Sequence, residues 1–354
     1  MITNISFFVS TLGSGGAEKQ AALLANILSY KYKVLFVVLY GDYDMSPSVL
    51  DILRNSNAQL ILLKGSWLRK MLNFKNILNR NHINCSFNYL TQCDFWGSIL
   101  ERISGVRKIY NGIRNSEMEK HKILLEYISH NFIATGTIFN CYSGKKNFID
   151  LGFKKGKCKT IPNCFPYIEC PCHRVDKSVK NIITVGRFVP QKDYETAIKI
   201  IATLKKVRCD FVFHIVGYGA LEEQIRKWVE EYDISDVVMF HIKSNDIPLL
   251  LQQSDIYLST SLFEGTSNSI MEAMNWSLPV VATNVGDNKF LVIDNVSGML
   301  HPIKDVFGMS YSLDVLLSDL NLRNRMGIEG NLNLKKKYSI EVFLKKYLDV
   351  IEAL

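Results

Sequence analysis

The sequence predicts an α/β protein of two doubly wound, Rossmann-like domains, and three observations carry that prediction. Strand-like and helix-like segments alternate along the chain, the alternation stops at a proline-rich stretch before resuming, and glycines gather where strands give way to helices. β-Rich runs separated by helices of ten to fifteen residues indicate βαβ units and parallel sheets. A chain of 354 residues is long enough for two domains, each with its own core.

Taken in order, "NISFFVS" and "KVLFVVLY" are β-rich, and "AEKQAALLANILSY" between them has helical spacing of its apolar residues. The pattern returns after residue 180 with "NIITVGRF", "DYETAIKIIATLKK", "DFVFHIVGYG", "ALEEQIRKWVEEY" and "VVMFHI". "IPLLLQQ", "IYLSTS", a helix around "SIMEAMNW" and the strand "PVVATN" follow. Between the two sets, "IPNCFPYIECPCHRVDKS" holds three prolines and no periodic pattern, which reads as a linker. The expected divisions are 1–165, a linker at 166–178, a second domain at 179–338, and a final helix at 339–354 that can cross back to the first. That helix places Phe343, Leu344, Tyr347, Leu348 and Ile351 on one face. The two domains are expected to face each other across a cleft.

Hydrophobic residues make up 47% and charged residues 21%, the balance of a soluble globular protein. No apolar stretch reaches the roughly 18 residues of a membrane span, and the N-terminus lacks the features of a secretory signal. A cytoplasmic protein is expected. The eight cysteines are scattered, and "CPCHR" at Cys170–Arg174 has no second cluster to complete a zinc site. Reduced, structural thiols are the reading. The net charge of +8 is uneven: residues 1–165 carry 21 Lys/Arg against 10 Asp/Glu, and residues 166–354 carry 21 against 24. Only the first half is expected to meet an anionic partner or surface.

Open parallel sheets bind ligands beyond the carboxyl ends of their strands, so the strand-to-helix loops are the candidate site. "TLGSGGAEKQ" places Gly13, Gly15 and Gly16 before a helix, which suits either a tight turn or a phosphate held on free amides. It is neither Gly-x-Gly-x-x-Gly nor a P-loop. "VGRFVPQKDY" sets Arg187 and Lys192 five apart after a buried strand, as a diphosphate clamp or as two solvated cations. "IVGYGALEEQI" offers Gly217 and Gly219, against which a nucleoside can lie. "YLSTSLFEGTSNS" ends a strand with Glu264, Gly265, Thr266, Ser267 and Asn268, and a helix begins nearby. Ser269 followed by Glu272 fits a capping box; alternatively Glu272 bonds the hydroxyls of a ribose. Glu264 has no local partner of that kind, and a carboxylate at a strand tip faces the ligand.

Glu264-x7-Glu272 followed by "AMNWSLPVVATNVGDN" resembles the donor-site signature of glycosyltransferase family 4, the retaining enzymes of GT-B fold. "GSGGAEK", "VGRFVPQKDY" and "KTIPNCF" extend the resemblance over nearly the whole chain, and the nearest flavour is bacterial O-antigen or capsule enzymes. The resemblance implies that Gly15 and Gly16 approach the donor diphosphate and that Arg187 and Lys192 bind it. It also implies that Glu264 contacts the transferred sugar, Thr266–Asn268 supply donors, and Glu272 holds the ribose; Gly217 and Gly265 complete the expected donor-binding set. The N-terminal histidine of many members is replaced in "KIYNGIRNSE" by Arg114 and Asn115, and Arg114 then becomes a catalytic candidate or an anchor for an acidic acceptor. The implied reaction is metal-independent and cofactor-free transfer of a hexosyl or N-acetylhexosaminyl group, from a UDP-sugar by family frequency. Asp42-x-Asp44 in "GDYDMS" imitates a metal-binding DxD motif and is read as an Asp-rich loop.

Residues 62–80 contain Lys64, Arg69, Lys70, Lys75 and Arg80 and no acidic residue, and a helix there aligns Trp67, Met71, Phe74 and Leu78. Such a helix suits an anionic membrane surface, with Trp67, Arg69, Lys70, Phe74 and Lys75 facing it, or else packs its stripe into the core. "GKKNFIDLGFKKGKCK" adds six lysines. No nucleic-acid motif appears; a lipid-linked glycan acceptor at the inner membrane face accounts for the charge. The competing readings are a catalytically inactive GT-B-like binding subunit and a sugar-nucleotide epimerase.

Overall fold

The computed structural model describes residues 4–13, 15–41, 45–114 and 118–353. Asp42, Asp44 and Asn115, singled out above, lie outside the described residues. The chain forms two compact units, Met1–Cys164 with Ile340–Leu354 (unit 1) and Phe165–Ser339 (unit 2).

Unit 1 is built on a parallel sheet of β1 (Asn4–Val9), β2 (Lys33–Val38), β3 (Gln59–Leu62), β4 (Cys85–Tyr89), β5 (Lys108–Ile113), β6 (Gly136–Phe139) and β7 (Cys158–Thr160). Its order is β3-β2-β1-β4-β5-β6-β7. A sheet covered by helices on both faces needs apolar side chains on both, which is why its strands read as unbroken hydrophobic runs. In β1, Phe7 points to one layer and Phe8 to the other. Phe7 lies opposite Phe36 and Phe87 in register and packs with the helices Gly16–Leu28 and Ile340–Glu352, through residues such as Leu24 and Tyr347.

Phe8 serves the other layer, and there one expectation is corrected. In the helix Trp67–Arg80, Met71, Phe74 and Leu78 join the core, and the Phe74 ring stacks on Phe8 with centroids 4.0 Å apart. Phe74 is fully buried and Lys70 nearly so, with the Lys70 ammonium 4.9 Å from the centre of the Tyr40 ring. Neither can face a membrane, because the stripe is needed to cover the sheet. Lys75 is half-buried; Trp67, Leu68, Arg69 and Leu72 remain at the surface. Trp67 packs edge-on against Trp96, centroids 5.2 Å apart.

Unit 2 holds a second parallel sheet of β8 (Lys180–Val185), β9 (Phe211–Gly217), β10 (Val238–Ile242), β11 (Ile256–Ser259), β12 (Val280–Thr283) and β13 (Gly298–His301). Its order, β10-β9-β8-β11-β12-β13, reverses direction between β8 and β11. The irregular stretch read as a linker is laid onto this unit. The Glu169 amide donates to Asn275 Oδ1 at 2.8 Å and the Arg174 amide to Asn324 Oδ1 at 2.6 Å, while the Arg174 guanidinium bonds the carbonyls of Gln252 and Trp276. Prolines here remove periodicity without removing order.

Candidate active site

The reversal of strand order in unit 2 opens a crevice at the carboxyl ends of β8 and β11, the position at which doubly wound sheets bind ligands. Arg187 and Lys192 follow β8, and Glu264 follows β11. The fold brings the last two together: Lys192 Nζ lies 2.6 Å from Glu264 Oε1 in a largely buried ion pair. Sequence separation had hidden this partner, since the two are 72 positions apart.

The two loops are tied together by their backbones. The Leu262 amide donates to the Gln191 carbonyl at 2.8 Å, and Gln191 Nε2 returns a bond to the Phe263 carbonyl at 2.8 Å. Thr260 Oγ1 donates to the Lys192 and Asp193 carbonyls. Gly286, in a left-handed conformation at φ +51°, packs its Cα against the Glu264 carbonyl, where a Cβ would overlap that oxygen. It is a site-forming residue that sequence reasoning missed; the signal was its place in "TNVGDN", one turn after β12.

Beside the ion pair lies a cavity of about 510 Å³ whose lining includes Gly186, Arg187, Gly217, Tyr218, Lys243 and Asn245. Arg187 is exposed and Tyr218 presents half of its surface. Gly217 must lack a side chain, because a Cβ there would meet the Gly186 carbonyl and the Phe188 ring. Of the predicted residues, Arg187 and Gly217 therefore share one concavity, and Lys192 stretches over Gly186 at its edge.

Glu272 sits in the helix Asn268–Asn275, half-buried. That helix starts two residues earlier than the capping-box reading required: Ser267 is the N-cap, so Ser269 lies inside the first turn and does not cap. Ser269 instead meets the buried hydroxyl of Tyr257, whose proton is held far above the ordinary phenol range, first by burial and then by the charges of Glu272 and Glu264. Both glutamates thus act electrostatically on one spot. Thr266 and Ser267 are buried, Gly265 is half-buried and Asn268 is exposed at the helix start.

Two predicted elements belong to unit 1. Gly15 is the N-cap of the helix Gly16–Leu28, and the Glu18 carboxylate folds back over it, accepting from Thr11 Oγ1 at 3.3 Å. Arg114 stacks 4.8 Å from the Tyr89 ring centre, and its terminal nitrogens reach Tyr347 Oη at 3.2 Å and Asn163 Oδ1 at 3.4 Å. Its Nε has no hydrogen-bond partner among the described residues. These contacts anchor the last helix to the end of β5.

Residues 172–332 match the family model described as glycosyl transferases group 1. This chain carries a group 1 glycosyltransferase domain. The domain contains Arg187, Lys192, Gly217, Glu264 and Glu272. An uncharacterised glycosyltransferase of Haemophilus influenzae is 24% identical over 98% of this chain and 99% of its own. The N-acetylgalactosamine-N,N'-diacetylbacillosaminyl-diphospho-undecaprenol 4-alpha-N-acetylgalactosaminyltransferase of Campylobacter jejuni is 25% identical over 90% of this chain and 91% of its own. The crystal structure of Anabaena HepE in complex with UDP shares the fold, with a TM-score of 0.85 at 16% identity over 99% of this chain and 100% of that one. The chain therefore has the GT-B architecture, two Rossmann-like units.

Proposed function

We propose that this glycosyltransferase moves a hexosyl or N-acetylhexosaminyl group from a UDP-sugar to a lipid-linked glycan in surface-polysaccharide synthesis, with retention of configuration. The observation that carries the reading is the Lys192–Glu264 pair beside the cavity that Arg187 lines. The Lys192 ammonium has three protons, and Glu264 takes one. The others are available to a diphosphate, and Glu264 Oε2 is available to a sugar hydroxyl. As the anomeric bond breaks, negative charge grows on the leaving diphosphate. Arg187 and Lys192 stabilise it, a role worth roughly 3–4 kcal/mol for one well-placed donor. Two fixed cations supply the charge that a metal supplies elsewhere, so the proposed reaction is metal-independent. Glu272 holds the ribose, and the base lies against Gly217 and Tyr218.

The UDP in the Anabaena structure and the diphospho-undecaprenol substrate named for the Campylobacter relative support this choice of donor and acceptor. No helix among the described residues is long and apolar enough to cross a membrane. We place the protein peripherally on the cytoplasmic face of the inner membrane. There Trp67, Leu68, Leu72 and Trp96 are exposed on unit 1 beside Lys64 and Arg69, a mixture suited to an anionic lipid surface.

Thermal unfolding with UDP, GDP and their sugars tests the donor site. A ligand at about 100 times its dissociation constant is expected to stabilise the fold by roughly 2.7 kcal/mol. UDP is expected to give that shift in the wild type and to lose it in Glu272→Ala. Absence of any nucleotide shift at millimolar concentration overturns the donor-site reading and leaves the inactive binding subunit.

A further inference from the structure

Unit 1 encloses an acidic network that none of the roles above uses. Asp94, Glu101 and Glu126 are fully buried, among the buried polar groups Asn88, Asn111 and Ser129. Asn88 Nδ2 donates to Glu101 Oε2 at 2.8 Å. Asn111 Nδ2 donates to Ser129 Oγ at 2.7 Å, and Ser129 donates in turn to the Asp94 carbonyl at 3.0 Å. Two short π-helical turns, Cys93–Gly97 and Ser129–Ile133, carry part of this network. Such turns distort the helical ladder and recur at functional sites.

Asp94 divides its two oxygens. Oδ1 accepts the Gly112 amide at 3.2 Å, at the end of β5 and two residues before Arg114. Oδ2 has no N–H donor among the described residues, and neither has either oxygen of Glu126. Each carboxyl group acts on the ionisation of the other, so the two lie together with three buried oxygens that no donor among the described residues satisfies. Two bare charges placed so would be costly, and a proton between them relieves both the repulsion and the missing donor.

We propose that Asp94 and Glu126 share one proton and, as that pair, are positioning residues that fix the segment Gly112–Arg114 at the ligand-binding end of β5. The importance of that segment for catalysis rests on the proposed function; the shared proton does not. The charged or titratable groups facing the pair are Glu101, Cys93 and Arg114, with the neutral Thr91 hydroxyl near Glu126. Glu126, the Gly112 amide and Arg114 favour the charged form of Asp94, and the Thr91 hydroxyl favours that of Glu126. Burial outweighs them, pushing Asp94 up to about 7 and Glu126 well above the usual carboxylate range. Glu101 is likewise pushed to about 7 by burial. Since folded values exceed unfolded ones near 4, the folded protein keeps protons that the unfolded chain releases. The stabilisation is complete below about pH 4 and is lost as pH rises through about 7.

The test uses the full-length protein and follows amide exchange of Gly112–Arg114 from pH 6 to 9, corrected for intrinsic rates, together with the pH profile of turnover. Wild type is expected to lose protection at Gly112 about tenfold or more across that range, with kcat falling alongside. Glu126→Gln puts a fixed N–H where the shared proton was, so both profiles should flatten. Glu101→Gln should change the melting temperature while leaving the Gly112 profile as in wild type. An unchanged Gly112 profile in Glu126→Gln overturns the proposal. Should that variant not fold, ¹³C-carboxyl titration of the wild type decides instead: one carboxyl still protonated at neutral pH supports the pair, and full ionisation below pH 5 overturns it. Exchange requires no turnover, so an inactive wild type with a pH-dependent Gly112 counts against the proposed function alone.

Discussion

Replacing Lys192 by methionine is expected to lower sugar transfer by about 10²–10³-fold, the usual effect of removing one group aimed at developing charge. Methionine keeps most of the stem that packs over Gly186, so the loss is of charge rather than shape. A second consequence comes from the partner. Glu264 is 8% exposed and would be left without its cation, and breaking one side of a buried pair costs roughly 3–5 kcal/mol. The part of Lys192 that reaches solvent puts the expected loss at the lower end. The double variant Lys192→Met/Glu264→Gln separates the effects: stability should largely return, because no bare carboxylate remains, while turnover should not. Steady-state rates and urea unfolding of the single and double variants check this. Recovery of rate with stability would show that Lys192 only props up the loop.

Gly286→Ala is expected to damage both stability and turnover although residue 286 has no side chain to offer a substrate. A left-handed backbone costs an alanine about 1–2 kcal/mol. In addition, the new Cβ would overlap the Glu264 carbonyl, and overpacking a tight contact costs about 1–3 kcal/mol. Relieving the overlap requires the Glu264 backbone or the Gly286 turn to shift, and a shift of Glu264 disturbs its pairing with Lys192. A melting temperature lowered by several degrees, with transfer reduced more than nucleotide affinity, is the expected result. A variant indistinguishable from wild type would mean that the glycine is incidental.

The two parallel sheets were legible because doubly covered strands must be apolar throughout, and "KVLFVVLY" and "NIITVGRF" show it locally. The basic helix shows where local reading ends. Its stripe of Trp67, Met71, Phe74 and Leu78 is correct as periodicity, yet only the distant Phe8 decides that Phe74 is interior. At the candidate site, the residue types and their loops were readable, while the salt bridge between Lys192 and Glu264 depends on strand order, which no local pattern encodes. The capping motif failed by a register of two residues, since Ser267 and Ser269 offer the helix two similar starts. Asp94, Glu101 and Glu126 escaped notice altogether. In sequence they resemble ordinary surface charges on short helices, and burial alone sets them apart.

The last helix gives unit 1 a history that its finished form conceals. Phe343, Tyr347, Val350 and Ile351 belong to the same core as Phe7 and Phe87, and Tyr110 Oη donates to the Val350 carbonyl at 3.1 Å. On a ribosome, residues 1–164 emerge first but meet those side chains only after unit 2 has been synthesised. At about 5–20 residues per second, the interval is on the order of 10–40 s. The half of the protein made first is therefore the half completed last, and during that time an apolar groove over β1, β4 and β5 stays open to chaperones or to the groove of a neighbouring nascent chain.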